Sequence, residues 1–335
     1  MSAPTAAVPG VFVQALRELK LVGDEPLRGV PLTGGVSSDI WRIDTARGPL
    51  CAKRALPRLR VAADWQAPIE RNLYEARWMR AAGQAVPGCA PQVLGQHAGL
   101  GVLVMAYLPS HALWKSQLRL GQADPDTAAA VGRALARIHA WSAARPALAA
   151  EFDSQRIFFD IRLEPYLLAA ALAHPDRAAP LRALVQATQA QAKALVHGDV
   201  SPKNILVDGH SPVFLDAECA VWGDPAFDLA FCLNHLLLKC LWTPGAATSL
   251  LRCFDALAAR YLDGVDWEPP DALQRRAAML LPGLLLARVD GKSPVEYLAD
   301  QSSRDTVRRV ARALLAEPVC RLQPLRQAWA QGVGG

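Results

Sequence analysis

The chain reads as an α+β protein in two lobes: a small β-rich N-terminal lobe and a larger, mainly helical C-terminal lobe. Three observations predict this. Up to about residue 110, apolar residues come in short runs broken by glycine-rich or polar turns. Beyond it they recur at helical spacing behind capping residues. A single apolar hairpin interrupts the helical part at residues 205–216. The 335 residues therefore divide into an N-terminal lobe, 1–105, and a C-terminal lobe, 106–335.

In chain order, VPLTGG, SSDIWRIDT and GPLCAKRAL form an antiparallel meander. QAPIERNLYEARWMRAAG follows as a helix, with Pro68 near its start, Ile69, Leu73 and Ala76 on one face, and Gly83 after its end. PQVLGQH and GVLVMAYLP add two strands. In DPDTAAAVGRALARIHAWSA, Asp124 is an N-cap, Pro125 takes the first helical position, and Val131, Leu135 and Ile138 make the buried stripe. GDPAFDLAFCLNHLLLK repeats the device with Asp224 and Pro225. The runs 205–207 and 213–216, joined across DGHS, are apolar enough to be buried on both faces. RDTVRRVARALL, residues 304–315, is an amphipathic helix whose arginines form a solvated face opposite Val307, Val310 and Leu314.

With 52% hydrophobic residues the chain has ample material for a core. Seven cysteines without CxxC spacing are expected as buried, reduced thiols of a cytoplasmic protein, not as a zinc or disulfide frame. LAFCLNHLLLKCL and AAMLLPGLLLARV are too short to span a bilayer, and the N-terminus lacks a basic segment ahead of an apolar one, so neither membrane insertion nor a signal peptide is expected. Residues 1–139 hold 16 Lys+Arg against 10 Asp+Glu; the remainder holds 20 against 21. This excess is either chance surface charge or a surface for an anion. No basic run is interleaved with aromatics, which argues against nucleic acid; a nucleotide polyphosphate fits better.

HGDVSPKNILV, residues 197–207, and VFLDAE, ending at Glu218, carry the chemistry. Phosphoryl transfer needs a carboxylate to accept the attacking hydroxyl's proton and oxygen ligands to hold magnesium against the triphosphate. Asp199 and Asn204 stand five residues apart on one loop, and the hairpin returns Asp216 to the same place. In the N-terminal lobe, Gly34, Gly35, Ser37 and Ser38 form a glycine-rich turn able to lay backbone N–H groups on phosphates. Lys53, ending an apolar strand, suits the α- and β-phosphates, with Glu75 or Glu70 on the next helix as its partner.

These residues, together with Gly223-Asp224-Pro225-Ala226-Phe227-Asp228, resemble the aminoglycoside phosphotransferase and choline kinase group of small-molecule kinases, which share the protein-kinase architecture. The resemblance implies a protein-kinase-like bilobal fold and the cofactors ATP and Mg2+. It implies Asp199 as catalytic base, Asn204 and Asp216 as magnesium ligands, His197 as a brace and Asp228 as a pin for the loop backbone. Glu218, in an Asp-x-Glu string like that of methylthioribose kinases, is either a further metal ligand or a turn residue. The backbone of Met105, Ala106 and Tyr107 corresponds to the hinge that reads adenine, although the Met105 and Tyr107 side chains equally suit a core. Arg288 and Asp290, in GLLLARVDGK, either cap a helix or face the acceptor.

The expected activity is ATP- and magnesium-dependent transfer to a hydroxyl of a small molecule, a metabolite more than a polycationic aminoglycoside, because the C-terminal lobe is near neutral. A silent pseudokinase would lack the lysine, the base or the metal aspartate, and none is missing. A protein kinase would carry an Asp-Phe-Gly to Ala-Pro-Glu activation segment, which is not recognisable here. Trp222, Trp242 and Trp267 are candidates for an aromatic box of the choline kinase kind, or for packing.

Overall fold

The computed structural model describes residues 5–32, 38–57 and 68–334. Gly34, Gly35 and Ser37 of the glycine-rich turn lie outside these residues; Ser38 begins a strand. The N-terminal lobe is built from β1 (Ala6–Ala7), α1 (Gly10–Glu18), β2 (Arg28–Pro31), β3 (Ser38–Asp44), β4 (Leu50–Ala55), α2 (Arg71–Ala85), β5 (Val93–His97) and β6 (Val102–Ala106). Its strands form one antiparallel sheet in the order β1-β2-β3-β4-β6-β5.

Strand alternation sorts the two faces of this sheet. Ala52, with Ile43, Leu50, Val102 and Val104, packs against Phe12, Ala15 and Leu16 of α1. Its neighbour Lys53 points the other way, to α2. The meander reading omitted α1, a nine-residue helix whose three buried residues are too few to stand out from a strand-rich context. Helix α2 starts later than its periodicity suggests and runs through Gly83. Its buried face includes Arg71, Asn72 and Glu75 beside Ala76, Trp78 and Met79, because polar groups of the site lie along it.

The C-terminal lobe continues with β7 (Ala112–Leu113), α3 (Trp114–Arg119) and α4 (Pro125–Ala143), whose N-cap Asp124 accepts from the Asp126 N–H. Helix α4 packs so closely at Gly132 on a later helix that a Cβ there would lie 2.3 Å from the Leu257 carbonyl oxygen. Then come α5 (Gln155–Phe158), a π-helical stretch (Phe159–Leu168), α6 (Ala169–Ala173), α7 (Ala178–Gln189), β8 (Ala194–Val196), β9 (Ile205–Asp208), β10 (Ser211–Phe214) and β11 (Val221–Gly223). Five helices end the chain: α8 (Ala226–Trp242), α9 (Ala247–Leu262), α10 (Pro270–Asp290), α11 (Gln301–Ala316) and α12 (Leu322–Gly334). Helix α8 begins at Ala226, one residue after the expected start, and Asp224 still accepts from its first N–H at 3.0 Å.

The arginines of α11 are not simply a solvated face. Arg308 pairs with both oxygens of Asp290 (2.9 and 2.6 Å), and Arg312 with both of Asp176 (3.1 and 2.8 Å). Of the cysteines, Cys89, Cys219, Cys232, Cys240 and Cys253 are buried, Cys51 is half-buried and Cys320 is exposed; all are free thiols. Among the described residues no helix is long and apolar enough to cross a membrane.

One hydrophobic core runs from α2 and β6 into the C-terminal helices, joining Ala76, Trp78, Met79 and Met105 to Phe214, Phe227 and Leu284. The first sheet ends at Ala106, while β7 pairs with β9 in a second, three-stranded sheet. The expected 105/106 division falls inside β6, one residue before the first sheet ends, and the hydrophobic core crosses it.

Candidate active site

Two loops cross side by side between two short antiparallel ladders, β8–β11 and β9–β10. The first, residues 197–204, leaves β8 and enters β9; the second, residues 215–220, leaves β10 and enters β11. They are tied together where the Leu215 N–H donates to the Asn204 carbonyl (2.8 Å) and His197 Nε2 donates to the Leu215 carbonyl (3.0 Å). His197 Nδ1 accepts from the Asp199 N–H at 3.1 Å, which fixes the ring proton on Nε2. Burial lowers the His197 pKa and favours this neutral form. The ring is also held edge-on against Trp78, 4.7 Å between centroids.

Asp228, at the start of α8, accepts from the backbone N–H groups of His197 (2.7 Å) and Gly198 (2.8 Å). Gly198 has φ +79°, and a Cβ there would lie 2.8 Å from Cys219, so the tight turn requires glycine. Asp228 is in turn met by His139 Nε2 at 3.3 Å. The loop is therefore rigid on the side away from its polar tips.

Asp199 is buried. Its Oδ2 contacts the Arg162 Nη2 (2.8 Å) and Lys203 Nζ (3.2 Å), and its Oδ1 has no hydrogen-bond partner among the described residues. Burial pushes this carboxyl up, but Arg162 and then Lys203 outweigh it, holding the pKa below its ordinary value. Arg162 also donates to the Gly198 carbonyl at 2.6 Å. Sequence reasoning missed it and gave Lys203 no role. Arg162 lies in the π-helical stretch between Asp160 and Glu164, an alternation of charges with Ile161 and Leu163 that reads locally as a solvated face and gives little signal in the sequence.

Asn204 donates its amide to the Asp199 carbonyl (3.0 Å), which leaves the amide oxygen as the end able to meet a cation. Asp216 has φ +65°, a left-handed conformation rare for a residue other than glycine. Its carboxylate accepts from Lys53 Nζ. Burial raises the Asp216 pKa, yet Lys53 and Lys203 reverse this and keep the group ionised.

Lys53 bridges to Glu75, with Nζ 2.7 Å from Oε2, whereas Glu70 is exposed just ahead of the first turn of α2. Burial lowers the Lys53 pKa, but Asp216 and Glu75 together raise it overall. Burial pushes the Glu75 pKa up; Lys53 opposes this and the neighbouring Asp216 charge adds to it. Glu218 is buried, and its Oε2 accepts from Arg71 Nε at 2.9 Å. The site thus gathers Lys53, Arg71, Arg162 and Lys203 against Glu75, Asp199, Asp216 and Glu218. Ser38 lies buried at the head of β3, its hydroxyl without a hydrogen-bond partner among the described residues.

At the hinge, Met105 is paired on both sides, to Cys51 and Val93, and the Ala106 N–H donates to the Gln92 carbonyl at 2.9 Å. Tyr107 is the first residue past the strand. Arg288 is buried near the end of α10, where Nη1 donates to the Tyr166 hydroxyl (3.0 Å) and to Ser293 Oγ (3.1 Å). Asp290 lies apart from these groups, held by Arg308 and by His174 Nε2 at 2.8 Å. The three tryptophans do not converge: Trp222 donates to the Ala192 carbonyl, Trp267 packs against His139, and Trp242 stacks on Tyr297.

The candidate metal donors suit a hard divalent cation. Asp216 offers an ionised carboxylate and Asn204 an amide oxygen, the ligand types magnesium takes.

A family model described as "Phosphotransferase enzyme family" matches residues 28–273. The chain is 28% identical over 239 residues to a methylthioribose kinase of Yersinia enterocolitica, a match covering 62% of this chain and 59% of that protein. It therefore spans somewhat over half the length of that relative. Among solved structures, an ethanolamine kinase of Plasmodium vivax is similar at TM-score 0.55 and 13% identity, covering 90% of this chain and 86% of that one. An amicoumacin kinase solved in complex with AMP-PNP and Ca2+ is similar at TM-score 0.54 and 13% identity, covering 89% and 91%. These two likenesses bear on the fold, which is that of protein-kinase-like enzymes. The match across residues 28–273, over the loops just described, places the chain in the phosphotransferase enzyme family.

Proposed function

We propose that this protein is an ATP- and magnesium-dependent kinase that transfers the γ-phosphoryl group to a hydroxyl of a small metabolite. The observation that carries this reading is the Asp199 carboxylate, buried and ionised, with one oxygen held by two cations and the other unpartnered. Oδ1 would orient the acceptor hydroxyl and take its proton as the oxygen–phosphorus bond forms and the bond to ADP breaks. An acidic carboxylate suits a late proton transfer, since the hydroxyl becomes acidic only once it has begun to bond phosphorus.

Asn204 and Asp216 would hold the magnesium ion, which when bound neutralises charge on the β- and γ-phosphates. Lys53, fixed by Glu75, would meet the α- and β-phosphates. Glu218 serves in this reading as the counter-ion of Arg71. With the Ala106 N–H already donated to Gln92, the adenine edge falls to the backbone beginning at Tyr107. Arg288 stays on the acceptor side, linked through Tyr166 toward Arg162. Asp290 drops out, since Arg308 and His174 occupy it. The nucleotide and divalent ion in the amicoumacin kinase structure accord with these cofactors.

The direct test is ADP release from ATP and Mg2+ against aminoglycosides, choline, methylthioribose, homoserine and simple sugars. Acceptor-dependent ADP release is the expected result. Absence of AMP-PNP binding in the presence of Mg2+ would overturn the reading.

A further inference from the structure

Beside the loop of Asp199 lies a small cavity with a cationic wall. Lys115, Lys203, Lys239 and Arg288 line it with His235, against one carboxylate, Glu296. Lys203 reaches from this wall to Asp199 at 3.2 Å, so cavity and catalytic carboxylate are a single side chain apart. Three of the cations have protein partners. Lys203 has Asp199, Lys115 is paired with Glu296, and Arg288 holds Tyr166 and Ser293.

Lys239 has none. It is 1% exposed, and among the described residues it forms no ion pair or hydrogen bond. Its Nζ lies 4.3 Å from the ring centroids of both Trp242 and Tyr297, which stack on each other at 4.6 Å. The neighbouring His235 Nε2 and Arg288 Nε are likewise buried without partners. A buried ammonium without a counter-ion is costly, and the usual outcome is loss of its proton. Burial, then Lys115, pushes the Lys239 pKa down to about 7, with Glu296 opposing and Arg288 adding to the effect.

We propose that the cationic lining of this cavity, whose enclosed space of about 10 Å³ fits about one water, binds at its mouth an anionic group, a carboxylate or phosphate carried by the acceptor, with Lys239 and Arg288 as its direct partners, an inference that rests on the kinase reading. Arg288 would supply the Nε that the protein leaves unpaired, and the acceptor's hydroxyl would reach past Lys203 to Asp199. The same wall repels polycations, which disfavours aminoglycosides. It also disfavours choline, because Lys239 already occupies the Trp242–Tyr297 pair.

Sulfate is a suitable probe, since its charge does not change near neutrality. Its binding is measured by calorimetry with Mg2+ and AMP-PNP at saturation, so that the nucleotide's phosphate positions are filled. Wild type is expected to bind sulfate, and Lys239→Met to bind it at least about tenfold more weakly. Wild-type affinity should fall as pH rises through about 7, where the Lys239 ammonium is lost among Lys115, Lys203, Arg288, His235 and Glu296. The melting temperature of Lys239→Met should match or exceed wild type, because an unpaired buried charge has gone. To separate a free anion from one on the acceptor, ADP release is compared for glycerol, glycerate and glycerol phosphate, and for ribose and ribose 5-phosphate. Preference for anionic members, lost in Lys239→Met, supports the proposal. Equal sulfate binding by both proteins, a lowered melting temperature of the variant, or turnover indifferent to the acceptor's charge overturns it. Failure of AMP-PNP to bind would instead overturn the kinase reading.

Discussion

Asp199 stays ionised inside the protein because two cations from different parts of the chain meet it. Lys203 comes from its own loop and Arg162 from a helix 37 positions earlier in the sequence. Across the site, Asp216 and Glu218 are two residues apart and differ in partner: Asp216 faces Lys53, and Glu218 faces Arg71. Their substitutions should therefore separate. On the proposed reading Asp216→Ala would remove an anionic magnesium ligand, and a magnesium titration of turnover should then show the dependence shifted far upward or activity abolished. Glu218→Gln should leave that titration within about twofold of wild type while lowering stability by about 1–3 kcal/mol, as expected when a buried charged hydrogen bond is weakened. A shifted magnesium dependence in Glu218→Gln would make Glu218 a metal ligand after all. That Asp199, Asn204 and Asp216 lie together was legible in the sequence because one short loop and one hairpin carry them all. Arg162 was not, because its partner is close only once the helical run has packed against the loop. The cavity around Lys239 was equally hidden: Lys239, Arg288 and Tyr297 come from separate elements, and each reads locally as core or cap.

Local windings decide what several elements can present. Pro165 lacks an N–H for the helical ladder, and the stretch around it winds as a π-helix, a form common at functional sites, with Arg162 on its inner side. Helix α8 depends on its first turn. Asp224 accepts from the Ala226 N–H and is clasped by Arg276 (2.9–3.2 Å), which also pairs with Glu268. One turn further, Asp228 fixes the His197–Gly198 backbone. Arg276→Met would strand the buried Asp224, and a loss of about 3 kcal/mol in urea unfolding is expected. A change below about 1 kcal/mol would mean that the clasp contributes little. The Asp-Pro start of α8 was readable because caps are local chemistry; Arg276, from α10, was not.

At the scale of the whole molecule, the lobes are distinct in strand pairing and continuous in packing. Lys53 on β4 and Glu75 on α2 come from the first lobe, and Asp199 and Asp216 from the second, yet Lys53 touches both Glu75 and Asp216. The two-lobe plan was visible in the change of texture near residue 110. The shared core was not, since Trp78 and Met79 reveal only that they are buried, not against what. Everything in this arrangement converges on the unpartnered oxygen of Asp199. The most direct measurement is single-turnover phosphoryl transfer by Asp199→Asn, with an acceptor that the wild type phosphorylates and AMP-PNP affinity measured alongside. The expected result is a rate about 10²–10⁴-fold lower with nucleotide affinity nearly unchanged, the usual effect of losing a general base. Transfer at close to the wild-type rate would contradict the assignment of Asp199 and the mechanism built on it.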